Sequence, residues 1–155
     1  MRKKVFCLAT LSVVSLFLFC SCSAHASELP EPEELFSEIA DSVTLPEMTN
    51  VADEYLDSVL GLSPEDCNGA VYYLLSEGIA PDEIVIIRAK DDSSAEDIQN
   101  KLEDRLAYKE QAAQMYLTEY MPIIQAGFVR RDGLTLSLIV SQQSEQILEV
   151  YEQYK

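Results

Sequence analysis

Residues 128–141 read FVRRDGLTLSLIVS and contain the clearest structural pattern in the chain. The pair Asp132-Gly133 is typical of a two-residue turn between antiparallel strands. After this turn, every second residue from Leu134 to Val140 is Leu or Val, which is the period of a strand that buries one face. The stretch therefore predicts a β-hairpin, and with it an antiparallel sheet.

A second pair of strands is predicted upstream. Residues 70–75 and 84–89 are rich in Val, Ile and Tyr, and the segment between them contains Gly78 and Pro81. This composition is typical of two strands joined by a loop. Two hairpins give an antiparallel sheet of about four strands.

A long helix is predicted between the two hairpins. Ser93 is a possible N-cap, and Glu96 lies three residues later, where it would complete a capping box. A helix from there to residue 120 would contain about 27 residues and span roughly 40 Å. Tyr108, Tyr116 and Tyr120 lie on one stripe of this helix, at multiples of four residues. We expect the stripe to pack against the sheet; the alternative is an exposed binding surface.

Amphipathic patterns predict shorter helices over residues 33–43, 52–60 and 144–154. Together the elements predict an α+β fold. A small antiparallel sheet of about four strands, in two hairpins, packs its buried face against a long central helix, with N- and C-terminal helices. Residues 33–155 are predicted to form this single domain.

The first 26 residues have the layout of a cleaved secretory signal. A basic start at residues 2–4 precedes an apolar stretch at residues 5–19 and then a run of small residues. Residues 27–32 are acidic and contain two prolines, which is typical of a linker.

Two processing sites compete within this leader. Ser21-Cys22 is a candidate lipoprotein site, at which Cys22 would be lipidated, and cleavage after Ala26 is the alternative. The residues around Ala26 fit their site better, because Phe19 is an unusual substitute for Leu three positions before a lipidated cysteine. The protein is thus predicted to be exported, and then either held on the outer face of the cell membrane by a lipid anchor or secreted.

Composition excludes several classes of function. The net charge is −16, and residues 28–87 contain no Lys or Arg, so nucleic acid is not expected as a partner. The only histidine, His25, lies in the leader, which excludes histidine-based catalysis and histidine metal sites from the mature domain. We therefore predict no catalytic residue, no metal and no cofactor.

Two functions remain open. The first is a non-enzymatic module that binds an unknown envelope protein or small ligand. Its candidate interaction surface consists of Tyr108, Tyr116, Tyr120, Arg130 and Arg131. The second is a carboxylate-dependent cell-wall glycan hydrolase, which needs two carboxylates about 5 to 10 Å apart across a cleft, at least one of them partly buried.

Five stretches carry a resemblance to a known family. They are Glu34-Leu35-Phe36, residues 45–48 (LPEM), residues 83–91 (EIVIIRAKD), residues 102–106 (LEDRL) and residues 138–141 (LIVS). In order and spacing they resemble the domain of unknown function 4358 family of bacterial envelope proteins. The resemblance implies a compact α+β domain that is exported and often lipid-anchored, which favours lipidation of Cys22. It implies no reaction, ligand or catalytic residue.

Overall fold

The structure is a computed structural model, and it describes residues 29–155. The predicted signal, with Cys22 and Ala26, lies outside these residues. Within them the chain forms five helices and five strands, and their bounds are α1 (Pro32–Ser42), β1 (Met48–Asn50), α2 (Ala52–Leu60), β2 (Cys67–Leu75), β3 (Glu83–Ala89), α3 (Asp92–Tyr116), α4 (Met121–Gln125), β4 (Phe128–Asp132), β5 (Thr135–Val140) and α5 (Ser144–Glu152).

The strands form one antiparallel sheet in the order β1-β2-β3-β5-β4. Both predicted hairpins are confirmed, β2 with β3 and β4 with β5, and Gly133 adopts the left-handed conformation that the second turn requires (φ +59°). The fifth strand, β1, was not predicted from the sequence. It pairs its three residues with Tyr73–Leu75 at the edge of the sheet.

Helices cover both faces of this sheet, whereas the sequence suggested one buried face. One face packs against α2, α3 and α4, and the other against α1 and α5. Every residue of β5 is consequently buried. Ser137, on the α5 side, accepts a hydrogen bond of 2.7 Å from the Tyr151 hydroxyl, so this polar side chain faces a helix and not water.

The long helix α3 has 25 residues, and its ends differ from the predicted ones. Asp91, not Ser93, is the N-cap, because its backbone is extended and its carboxylate accepts the Ser94 amide at 2.8 Å. At the other end the backbone leaves the helix at Leu117 (φ −140°, ψ 50°), and a 3-10 turn, Thr118–Tyr120, leads into α4.

Arg88 fixes the start of the described chain to the sheet. Its Nη2 donates to the carbonyl oxygens of Leu29 at 2.7 Å and of Pro30 at 3.0 Å, and the Leu29 side chain is buried. Residues 29–31 of the predicted linker therefore lie against the domain, at the Ala89 end of β3. The opposite end of β3 begins at Glu83.

Candidate functional site

Strand β3 begins with a buried carboxylate, that of Glu83. Glu83 lies on the α3 side of the sheet, in phase with Val85 and Ile87, and is fully buried. Its Oε1 accepts from the Tyr72 hydroxyl at 2.5 Å and from Arg105 Nε at 2.9 Å.

The other carboxylate oxygen binds the same helix again. Glu83 Oε2 accepts from Arg105 Nη2 at 3.0 Å and from Lys109 Nζ at 2.6 Å. Arg105 and Lys109 are one turn apart on α3, so both can reach one carboxylate. This buried charge cluster, which consists of Tyr72, Glu83, Arg105 and Lys109, clamps the middle of α3 to the Glu83 end of the sheet.

The cluster holds Glu83 in its ionised form. Burial raises the pKa of this carboxyl, but the hydrogen bonds and charges of Arg105 and Lys109 outweigh burial, and the pKa lies below its ordinary value. Burial and the adjacent carboxylate raise the pKa of the Tyr72 phenol, which therefore keeps its proton. A glycosidase acid needs the opposite arrangement, a carboxyl whose pKa is raised so that it holds a proton to donate.

Asp82 is the other buried carboxylate among residues 29–155. It accepts a hydrogen bond of 3.0 Å from the Ser141 hydroxyl. Because Asp82 and Glu83 are consecutive and each is bound by protein side chains, the described residues do not present them as a pair of carboxylates across a cleft.

The C-terminal half of α3 and the β2–β3 loop expose aromatic and apolar side chains. Tyr108 is 62% exposed, Met115 60% and Tyr116 79%, and Ile79, in the loop between β2 and β3, is 72% exposed. These four residues are called the tyrosine face below. They are four of the five large apolar or aromatic side chains exposed in residues 29–155. Three of them lie in the C-terminal half of α3, and exposed aromatic side chains of this kind are typical of interaction surfaces.

The predicted packing of the tyrosine stripe against the sheet is wrong for Tyr108 and Tyr116. Tyr120 is half-buried, and its hydroxyl donates to the Ile79 carbonyl. This bond holds the β2–β3 loop against the end of α3. It brings Ile79 to the same end of the domain as Tyr116.

A groove of about 480 Å³ lies beside Tyr108, between α2 and α3. Val59 and Leu60 supply its apolar lining, and its charged lining consists of Asp104, Lys101 and Arg105. The Arg105 guanidinium lies 5.7 Å from the Tyr108 ring centre. The Asp104 carboxylate forms no hydrogen bond or ion pair within the described part of the chain.

Arg130 and Arg131, also predicted as candidates, lie away from the tyrosines in the β4–β5 hairpin. Arg130 donates to Asp132 and to Glu152 of α5, the latter at 2.9 Å, and its guanidinium lies 5.2 Å from the Tyr151 ring centre. Arg131 donates to Asp92 of α3 at 2.6 Å. Both arginines thus attach the hairpin to helices.

The site roles of Glu83, Arg105 and Lys109 were not predicted from the sequence. The burial of Glu83 could have been predicted, because alternate residues of a strand lie on one face and Glu83 therefore shares the face of Val85 and Ile87. Two cations one helical turn apart beside an apolar stripe are the complementary signal.

Nowhere in residues 29–155 do three or more His, Cys, Asp or Glu side chains group in a way that could hold a metal ion. No helix in this range is long and apolar enough to cross a membrane.

The fold and these features define a small α+β domain with a five-stranded antiparallel sheet between two helical layers. The model of the family Domain of unknown function (DUF4358) matches residues 41–141, more than half of the chain, and the chain belongs to this family. The resemblance noted in the sequence is thereby confirmed. No match was found among curated proteins or among solved structures.

Proposed function

We propose that this protein is a non-enzymatic binding module of the bacterial cell envelope, exported and tethered to the outer face of the membrane through Cys22. Its binding surface is the tyrosine face, and its partner is an envelope protein. The proposal is carried by four exposed apolar and aromatic side chains, of which Tyr108, Met115 and Tyr116 lie in the C-terminal half of α3 and Ile79 in the β2–β3 loop.

The position of this face supports a tethered module. Leu29 lies beside Arg88, and Arg88 is five residue steps along β3, about 17 Å, from Glu83. Helix α3 runs back along β3 and continues from Lys109 to Tyr116, roughly 10 Å further. Residues 23–28 can span at most about 20 Å. A domain held this closely at Leu29 would present Tyr116 away from the bilayer.

The state of Glu83 supports a binding role over the glycan-hydrolase alternative. Its carboxylate is enclosed, paired with two cations and held ionised. A hydrolase would need an accessible carboxyl with a proton to donate and a second carboxylate facing it. Binding through the tyrosine face requires no proton-donating carboxyl and no second carboxylate.

The tether is tested on the full chain produced in bacteria. Mass spectrometry of the mature protein should find a diacylglyceryl-modified Cys22 at the N-terminus, and Cys22→Ala should move the protein from the membrane fraction to the medium. A mature chain that starts at Ser27 would contradict the tether while leaving the binding surface open to test.

The binding surface is tested by photo-crosslinking in living cells. A photoreactive phenylalanine analogue replaces Tyr116 in one strain and Leu148 in the other. Leu148 is the matched control, because it is the fifth exposed large apolar side chain of the described residues and lies on α5, in the other helical layer. A discrete adduct is expected from position 116 alone, and Met115→Asp should weaken it. Equal adducts from both positions, or none from position 116, would refute the binding surface.

A further inference from the structure

Asp82 is a buried carboxylate on the opposite face of the sheet from Glu83. It directly precedes β3 and is in phase with Ile84 and Ile86, which pack on the α1 and α5 side. The residue is only 5% exposed. A charge at this depth is unfavourable unless hydrogen bonds or an opposite charge compensate it.

The protein compensates Asp82 far less than it compensates Glu83. Glu83 accepts four hydrogen bonds, three of them from the cationic side chains of Arg105 and Lys109. Asp82 accepts one, from the neutral Ser141 hydroxyl at 3.0 Å, and its carboxylate has no other hydrogen bond or ion pair within the described part of the chain. An ionised carboxylate can accept about four hydrogen bonds, so Asp82 lacks donors.

Even this single donor is shared between two acceptors. Ser141 Oγ lies 3.0 Å from Asp82 Oδ1 and 3.1 Å from Gln143 Oε1, and a hydroxyl has only one proton to donate. The Lys109 ammonium interacts electrostatically with Asp82, but it is bound to Glu83 Oε2 at 2.6 Å, on the other face of the sheet. No cation of the described residues is therefore bonded to Asp82.

The Asp82 carboxylate opens on a cavity of about 310 Å³. Its Oδ2 accepts no hydrogen bond within the described residues and is not sealed from solvent. Leu45, Pro46 and Leu75 supply apolar lining, and Asp82 is the only charged residue in the lining. The cavity thus combines an apolar wall with a buried carboxylate that lacks donors.

We infer that this cavity binds a small ligand through a primary ammonium group, with Asp82 as the counter-charge. An ammonium supplies three N–H donors and a positive charge, which are what the carboxylate lacks. The alkyl part of the ligand would lie against Leu45 and Leu75. A volume of about 310 Å³ is at the lower end of the range for small-molecule pockets. This site is independent of the proposed function, because it involves no side chain of the tyrosine face.

The test is a titration of the protein purified from bacteria and labelled with nitrogen-15, at about pH 7, where alkylamines carry a proton. n-Butylammonium should shift the amide signals of Leu75, Asp82 and Gln143. Tetramethylammonium has the same charge but no N–H group, and n-butanol has the same chain but no charge. Each should bind about tenfold or more weakly, the effect of losing a hydrogen bond to a charged group.

A peptide arm distinguishes a small ligand from a lysine of a partner protein. Acetyl-Gly-Lys-Gly-amide carries the same butylammonium group on a peptide backbone. Because Asp82 is buried, a backbone held at the rim would restrict the approach of the ammonium to the carboxylate. The peptide should therefore bind more weakly than n-butylammonium.

Asp82→Asn removes the charge and keeps an acceptor for Ser141, so it should weaken n-butylammonium binding about tenfold or more. The matched control is Glu47→Gln, which removes a charge at an exposed position next to Pro46 but outside the lining. Urea unfolding gives a second readout. Without ligand, Asp82→Asn should be at least as stable as the unchanged protein, because a poorly compensated buried charge is removed. n-Butylammonium should raise the unfolding midpoint of the unchanged protein but not that of Asp82→Asn.

Three results would overturn the inference. Equal binding of n-butylammonium and tetramethylammonium, or equal effects of Asp82→Asn and Glu47→Gln, would mean diffuse attraction of cations to an acidic protein. A large loss of stability in Asp82→Asn would make Asp82 a structural partner of Ser141. Tighter binding of the peptide would assign the cavity to a lysine of a partner protein. The crosslink from position 116 tests the tyrosine face separately from all three.

Discussion

Replacing Glu83 by Gln tests the buried charge cluster most directly. Gln keeps the size of the side chain but leaves the charges of Arg105 and Lys109 uncompensated beneath α3, and its NH₂ group faces other donors. Removing one partner from a buried ion pair costs about 3 to 5 kcal/mol. Because Gln retains one acceptor oxygen, we expect a loss near 3 kcal/mol. With a urea m-value of about 1.5 kcal/mol/M, the unfolding midpoint should fall by about 2 M.

The assay is urea unfolding followed by circular dichroism, with Glu96→Gln as the control. Glu96 is an exposed acid of the same helix, so its change should stay within about 0.5 kcal/mol. A third variant replaces Tyr72, Glu83, Arg105 and Lys109 by apolar side chains of similar size. It should recover most of the loss, because no unpaired charge remains. A Glu83→Gln protein as stable as the control would refute the view that the cluster is enclosed and unhydrated.

Three further outcomes are expected. The pKa of Glu83 is lower in the folded than in the unfolded chain. Its contribution to the free energy of unfolding is therefore present above about pH 4.3 and is lost at lower pH. On acid titration, the free energy of unfolding of Glu83→Gln should consequently fall less steeply than that of the unchanged protein. Gly127→Ala should destabilise the fold by about 1 to 3 kcal/mol, because a Cβ would lie 2.8 Å from the Ile139 carbonyl oxygen. The measurement is thermal unfolding, and an unchanged midpoint would contradict the close approach of residue 127 to that oxygen. Asp91→Ala should cost about 1 kcal/mol through loss of the N-cap, whereas Ser93→Ala should cost much less, and the reverse order in urea unfolding would restore Ser93 as the cap.

Elements with a distinctive pattern in a few consecutive residues could be predicted from the sequence alone. The Asp132-Gly133 turn and the alternation that follows it specify their hairpin without reference to the rest of the chain. Met48–Asn50 has no such signal, since three residues are too few to show a period. It becomes a strand because Tyr73–Leu75 offers free backbone groups at the edge of β2.

The second helical layer could not be predicted for a similar reason. The spacing of apolar residues in α5 shows that one side of the helix must be buried. It does not identify the surface on which that side packs. In the sequence, Ser137 indicates a strand face exposed to solvent. In the structure, this residue instead accepts a hydrogen bond from the buried Tyr151 hydroxyl. The same holds for the candidate site, because the exposure of Tyr108 and Tyr116 depends on the rotation of α3, which Glu83 fixes from the sheet.

The pairing of the first and last helices also makes the domain suited to circular permutation. Helix α5 runs back along the sheet toward the Arg88 end, and the Tyr154 hydroxyl donates to the Glu38 carboxylate of α1. A short peptide joining Lys155 to Leu29 would close the chain on this side, and new ends could be opened at the exposed turn at Gly133. The resulting protein would keep the tyrosine face uninterrupted, because neither the join nor the cut lies at the Glu83 end of the sheet.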